Sequence, residues 1–152
     1  NKMNKLKIIR EFLDQKNIAV AGVSRTKHKF GNTIFRELQK KGYNLYPVNP
    51  NMDEFEGKKC FKNIASLPAE VTGIVINTKP AVTGSLIKEA EAKGIQNIWL
   101  QQGSADKIVT AGLENSRLNI VSGKCILMFS EPVKGVHGFH RWLMKSFGKF
   151  PN

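Results

Sequence analysis

Ile18-Ala19-Val20-Ala21-Gly22-Val23 is an apolar run of strand length with no polar face, and it breaks directly into a polar, cationic loop. A strand of that kind is covered on both sides, which is the situation of a central strand in a parallel sheet. After the loop the period changes. Ile34, Phe35 and Leu38 fall on one face of a helix over 32–41, and Gly42 is placed to stop it.

The same alternation continues along the chain. Leu45-Tyr46-Pro47-Val48 predicts the next strand, with Pro47 in tension with a central position because proline donates nothing to a ladder. A short edge strand is expected over 58–61, and Gly73-Ile74-Val75-Ile76 reads as a second buried strand. Val82, Leu86, Ile87 and Ala90 predict a helix ended by Gly94, and Ile98-Trp99-Leu100 the strand after it. Ile108, Val109 and Leu113 fall in a further helix, and Asn119-Ile120-Val121 is the last core strand. Strands alternating with helices imply βαβ crossovers, hence a three-layer α/β/α fold around a mostly parallel five-stranded sheet.

Extra helices are expected at both ends. Leu6, Ile9, Phe12 and Leu13 mark an opening helix from Asn4, its N-cap, to about Asn17. Phe139, Trp142, Leu143 and Phe147 mark a closing one. His137 and His140 stand three apart there, without a third ligand, so neither a metal nor a catalytic role is assigned to them. The chain reads as a single domain over 1–152, with a core of about 18–125 and a C-terminal extension at 130–152.

Charge narrows the partners. The net charge of +12 attracts polyanions, whether nucleic acid, an acidic membrane surface or a phosphate-rich small molecule. The basic residues are scattered, and no aromatic RNA-reading motif accompanies them, so nucleic acid is disfavoured. No apolar run is long enough to span a bilayer, and 1–10 do not resemble a signal peptide, so a cytoplasmic location is expected. Cys60 and Cys125 are too few for a disulfide framework and carry no zinc-type spacing. Self-association remains open.

In open parallel sheets, ligands bind beyond the carboxyl ends of the strands. Four segments meet there: 22–32, 48–50, 77–80 and 101–104. The first is the richest in chemistry. Gly22 permits a close backbone approach, Ser24 and Thr26 bring hydroxyls, and Arg25, Lys27 and Lys29 bring cations. Gly31-Asn32 open a helix whose free N–H groups suit an anion. The pattern is neither Gly-x-Gly-x-x-Gly nor a Gly-Lys-Ser/Thr phosphate loop, which argues against a P-loop ATPase. A nicotinamide site would ask for an acid at the end of the second strand, where Val48-Asn49-Pro50 has none, although Asp53 and Glu54 follow.

Five segments carry a resemblance: Ile18–Ser24, the long loop to Gly31, Tyr46-Pro47-Val48-Asn49-Pro50, Thr78-Lys79-Pro80 and Trp99-Leu100-Gln101-Gln102-Gly103. Their order and spacing are similar to those of the CoA-binding domain family of small bacterial proteins, itself similar in fold to the N-terminal domain of the succinyl-CoA synthetase alpha subunit. The resemblance covers about Ile18 to Cys125. It implies a Rossmann-like domain taking coenzyme A or an acyl-CoA across the strand ends. By position, Gly22, Val23, Ser24, Arg25, Lys27, Gly31 and Asn32 would serve the phosphates. Val48, Asn49 and Pro50 would line the nucleotide, Thr78, Lys79 and Pro80 would flank the adenine or pantetheine, and Gln102 and Gly103 would close the pocket.

The synthetase also uses a phosphorylated histidine from a second domain and a nucleotide-binding partner subunit, neither of which has a counterpart in this sequence. The expectation is therefore a non-catalytic or regulatory CoA-binding module. The alternatives are an NAD(P)-binding oxidoreductase or redox sensor, and a nucleic-acid or protein interaction module.

Overall fold

A computed structural model describes residues 2–130; the expected closing helix, His137 and His140 lie outside the described residues. Helix α1 (Lys2–Leu13) leads into β1 (Asn17–Ala21), α2 (Phe30–Lys40) and β2 (Asn44–Val48). A small antiparallel pair follows, β3 (Glu54–Phe55) with β4 (Lys58–Lys59). Then come β5 (Gly73–Ile76), α3 (Pro80–Lys93), β6 (Asn97–Leu100), α4 (Lys107–Ala111) and β7 (Asn119–Ser122).

The main sheet has the order β2-β1-β5-β6-β7, and every pairing in it is parallel rather than mostly so. The fold is Rossmann-like. The pleat sends alternate residues to opposite faces. Ile18, Val20, Val75 and Trp99 meet Ile9 and Phe12 of α1 and Ile34, Phe35 and Leu38 of α2 on one side. Ala19, Ala21, Ile74, Ile76, Ile98 and Leu100 meet Ile87 and Ala90 of α3 on the other. The apolar run of β1 thus feeds two cores at once, which is why it carries no polar face. Trp99 anchors the first core, edge-on to Phe12 at 5.5 Å between centroids, with Nε1 donating to the Lys124 carbonyl at 2.9 Å.

Four local expectations are corrected. Helix α1 already includes Lys2, so Asn4 does not cap it, and it ends at Leu13. Asn17 belongs to β1, because Asn44 N–H donates to the Lys16 carbonyl (2.9 Å) and Thr72 N–H to that of Asn17 (3.1 Å), drawing these residues into the sheet. Lys58–Lys59 pair with Glu54–Phe55, and only Phe61 bridges to Val48 of the main sheet. The third helix after the core begins shrinks to five residues, and Ile108 is 83% exposed rather than packed inward. Pro47 is accommodated because β2 is an edge strand; its carbonyl accepts from Phe61 N–H at 2.8 Å.

The described chain ends against α2. Lys41 Nζ donates to Oγ (2.7 Å) and the carbonyl (3.3 Å) of Ser130. Burial lowers the Lys41 pKa, against the opposing pull of Glu37 and Cys125.

Candidate functional site

The chain runs from β1 outward to β2, then crosses back to β5 on the other side of β1. The switch point therefore lies between the ends of β1 and β5, and a crevice there is where such sheets receive ligands. The backbone closes tightly at this place. Asn77 N–H donates to the Ala21 carbonyl at 2.8 Å, and Gly22 has φ +126°. A Cβ on Gly22 would sit 2.3 Å from the Asn77 carbonyl oxygen, so this glycine serves a backbone-to-backbone approach within the protein. Gly31 lies against the carbonyl of Gly22 in the same way.

Asn32 organises the loop. Its side chain is 1% exposed; Oδ1 accepts from Ser24 N–H at 2.8 Å, while Nδ2 donates to the carbonyls of Ser24 (2.8 Å) and Thr26 (3.1 Å). Ser24 Oγ accepts from Thr26 N–H at 3.1 Å, and Lys29 N–H returns to the Thr26 carbonyl at 3.1 Å. These bonds consume some of the amides that the sequence offered to an anion. The N–H groups of Arg25, Lys27, His28, Phe30 and Gly31 make no hydrogen bond to another described residue. Lys27 and Lys29 are exposed beside them. The Val23 side chain is buried in the core on the α1–α2 side of the sheet. Asn32 and Val23 therefore shape the loop from behind, with no side-chain surface left for a ligand.

The loop after β2 is tied to the first. Asn49 Nδ2 donates to the Val23 carbonyl at 2.7 Å, and its Oδ1 accepts from Asn51 N–H at 2.8 Å. The Arg25 guanidinium donates to the Asn51 carbonyl. Val48 is buried in the core on the α3 side, whereas Pro50 is exposed. Cys60 sits behind this junction with Sγ 3.8 Å from the Asn49 carbonyl, and burial raises its pKa.

The remaining two segments also touch. Thr78 N–H donates to the buried Ser104 Oγ at 3.2 Å, and the Thr78 and buried Thr83 hydroxyls are 2.8 Å apart. Lys79 is exposed and precedes Pro80, the first residue of α3. Gln102 and Gly103 are exposed, Gln102 Nε2 reaching the Gly123 carbonyl at 3.4 Å. Gln101 is the buried member of this turn: Oε1 accepts from Ile126 N–H at 2.7 Å and Nε2 approaches Cys125 Sγ at 3.4 Å. Both cysteines are free thiols.

The structure thus brings the four predicted segments to one rim in two linked pairs. It adds Ser104, Thr83 and Gln101 as the groups that join them. It also places Phe30, 48% exposed, at the start of α2 beside the loop. The exposed aromatic follows from Phe30 preceding the buried helical stripe, a position at the loop–helix junction that periodicity alone leaves unassigned.

Comparison with known proteins places this chain in a family. Residues 16–131 match the CoA binding domain. An ADP-forming acetate–CoA ligase of Methanocaldococcus jannaschii is 27% identical over 137 residues, 90% of this chain but 20% of the ligase. The chain thus spans about a fifth of the length of that relative and of the ligase II of Archaeoglobus fulgidus. By contrast, the uncharacterized protein YneT of Bacillus subtilis, 24% identical, is covered over 88% of its length. Among solved structures, a conserved hypothetical protein from Pyrococcus furiosus aligns with a TM-score of 0.70 and 37% identity, over 74% of this chain and 97% of its own. A hypothetical protein from Pyrococcus horikoshii OT3 aligns at 0.73 and 29%, over 80% and 86%. With the match covering most of its sequence and its parallel sheet, this chain belongs to the CoA-binding domain family.

Proposed function

We propose that the rim loops bind coenzyme A, and that the chain holds the cofactor as a regulatory or carrier module without transforming it. The carrying observation is the loop at 22–29. Its amides at Arg25, Lys27 and His28, and those opening α2, are unpartnered among the described residues, and Lys27 and Lys29 stand exposed beside them. Amides and a helix N-terminus converging at a sheet's switch point suit a pyrophosphate.

Two features support CoA over a dinucleotide. The position that commonly grips ribose hydroxyls with an acid is Asn49 here, and its side chain is spent on Val23 and Asn51. Asp53, nearby, faces Lys62 at 3.2 Å. The cationic loop also favours a ligand carrying a further phosphate on its ribose. A binding role without catalysis is supported by the state of the polar groups at the rim. Thr78, Thr83, Ser104 and Gln101 are engaged in hydrogen bonds within the protein.

Titration calorimetry with CoA, 3′-dephospho-CoA, NAD and NADP tests this. CoA should bind, and the dephospho form more weakly. No heat with CoA, or selective binding of a nicotinamide nucleotide, would overturn it. Steeply salt-dependent binding to nucleic acid in place of CoA would do the same.

A further inference from the structure

A groove of about 750 Å3 lies between α3 and α4, within the roughly 300–1,000 Å3 usual for small-molecule sites. Its walls are largely apolar: Pro80, Ala81, Gly84 and Ile87 from α3, with Val109 and Leu113 opposite. Gly84 contributes to its breadth, because a Cβ there would meet nothing within 4 Å. Ile108, 83% exposed, stands on the same lining.

The groove shares Pro80 with the rim. Its α3 wall begins at Pro80, directly after Thr78 and Lys79, and its α4 wall begins at Asp106, two residues after Ser104. The Thr78–Ser104 hydrogen bond joins the two loops that lead into these walls. The lining sets Glu91 and Asp106 against one cation, Lys88, a balance that does not suit a phosphate. It suits an apolar arm attached to something held at the rim.

We propose that the α3–α4 groove receives the acyl chain of an acyl-CoA whose nucleotide end is held by the rim loops. This rests on the CoA reading above and names the form of the ligand. The occupant is a hydrocarbon chain, because apolar side chains form most of the wall and the α3 side of that wall starts at the rim residue Pro80.

Affinities of CoA and its acetyl, butyryl, hexanoyl and octanoyl thioesters test it by calorimetry. Burial of the chain should tighten binding about threefold to fourfold per added methylene. Gly84→Leu, which projects into open space from a helix that leucine favours, should leave CoA affinity unchanged and abolish the chain-length gradient. Ala81→Leu, also on the lining, provides a second variant with the same expectation. A flat series in the unaltered protein, with CoA itself bound, overturns the acyl-groove assignment and leaves the CoA reading standing. A gradient that persists in both folded variants also overturns it. Failure of CoA and of every thioester to bind removes the underlying reading instead.

Discussion

A Cβ on Gly31 would lie 2.1 Å from the carbonyl oxygen of Gly22. The first turn of α2 is therefore packed directly on the backbone that leaves β1, and the loop between them is closed like a clasp. Gly31→Ala must push the two backbones apart, and overpacking of this kind costs about 1–3 kcal/mol. We expect a lowered melting temperature together with weakened CoA binding. Gly84→Ala, with no neighbour in reach, should raise stability by about 0.5–1 kcal/mol and serves as the contrasting measurement. Equal effects of the two substitutions would contradict the clasp.

Asn32 should govern the shape of the loop more than the integrity of the fold. Asn32→Leu removes the side-chain partners of Ser24 and Thr26, and each buried polar group left unpaired costs about 1–3 kcal/mol. Ser24 and Thr26 lie near solvent, so part of that cost is recovered from water. CoA affinity should therefore fall further than denaturant stability. If affinity and stability fell in strict proportion, Asn32 would be a fold residue alone.

Lys27 and Lys29 are exposed, and their contribution should be read in salt dependence. Each change to alanine should weaken CoA binding about twofold to fivefold, the range of an exposed charge contact. The slope of affinity against salt should flatten, while melting temperature stays put. An unchanged slope in the double variant would remove these lysines from the site.

The two thiols should separate by reactivity. Cys60 is 3% exposed with its pKa raised by burial, whereas Cys125 is partly exposed. Iodoacetamide at pH 8 should label Cys125 first. The raised Cys60 value also sets a sign for stability: as pH climbs past the ordinary value of 9.0, the unfolded chain loses the proton before the folded one. The folded state then binds more protons, so its stability falls with rising pH there, and Cys60 adds no such slope below that range. Cys60→Ala should flatten that decline in denaturant titrations between pH 8 and 10.5, and an identical decline in both proteins would refute it.

Much of the architecture is legible in residue order. The uninterrupted apolar runs Ile18–Ala21 and Ile74–Ile76 announce strands covered on both faces, and the pleat sends their side chains into the two cores that the structure contains. Gly94, in the left-handed conformation at φ +90°, ends α3 as its position suggests. Two of the misread places were decided by which strand edge arrives beside them. Asn17 leaves the helical pattern because Asn44 and Thr72 arrive beside it in the sheet. Lys58–Lys59 turn away from the main sheet because Glu54–Phe55 offer a nearer edge.

The candidate rim divides in the same manner. That a cationic, glycine-bounded loop follows a wholly apolar strand run is written in local order, since apolar runs and turn chemistry are short-range properties. Which of its polar groups face outward was decided only on folding. Asn32 and Asn49 look from the sequence like ligand contacts, yet the first turns back onto Ser24 and Thr26 and the second onto Val23. A buried amide must satisfy its hydrogen bonds, and only the assembled chain brings those carbonyls and N–H groups within reach.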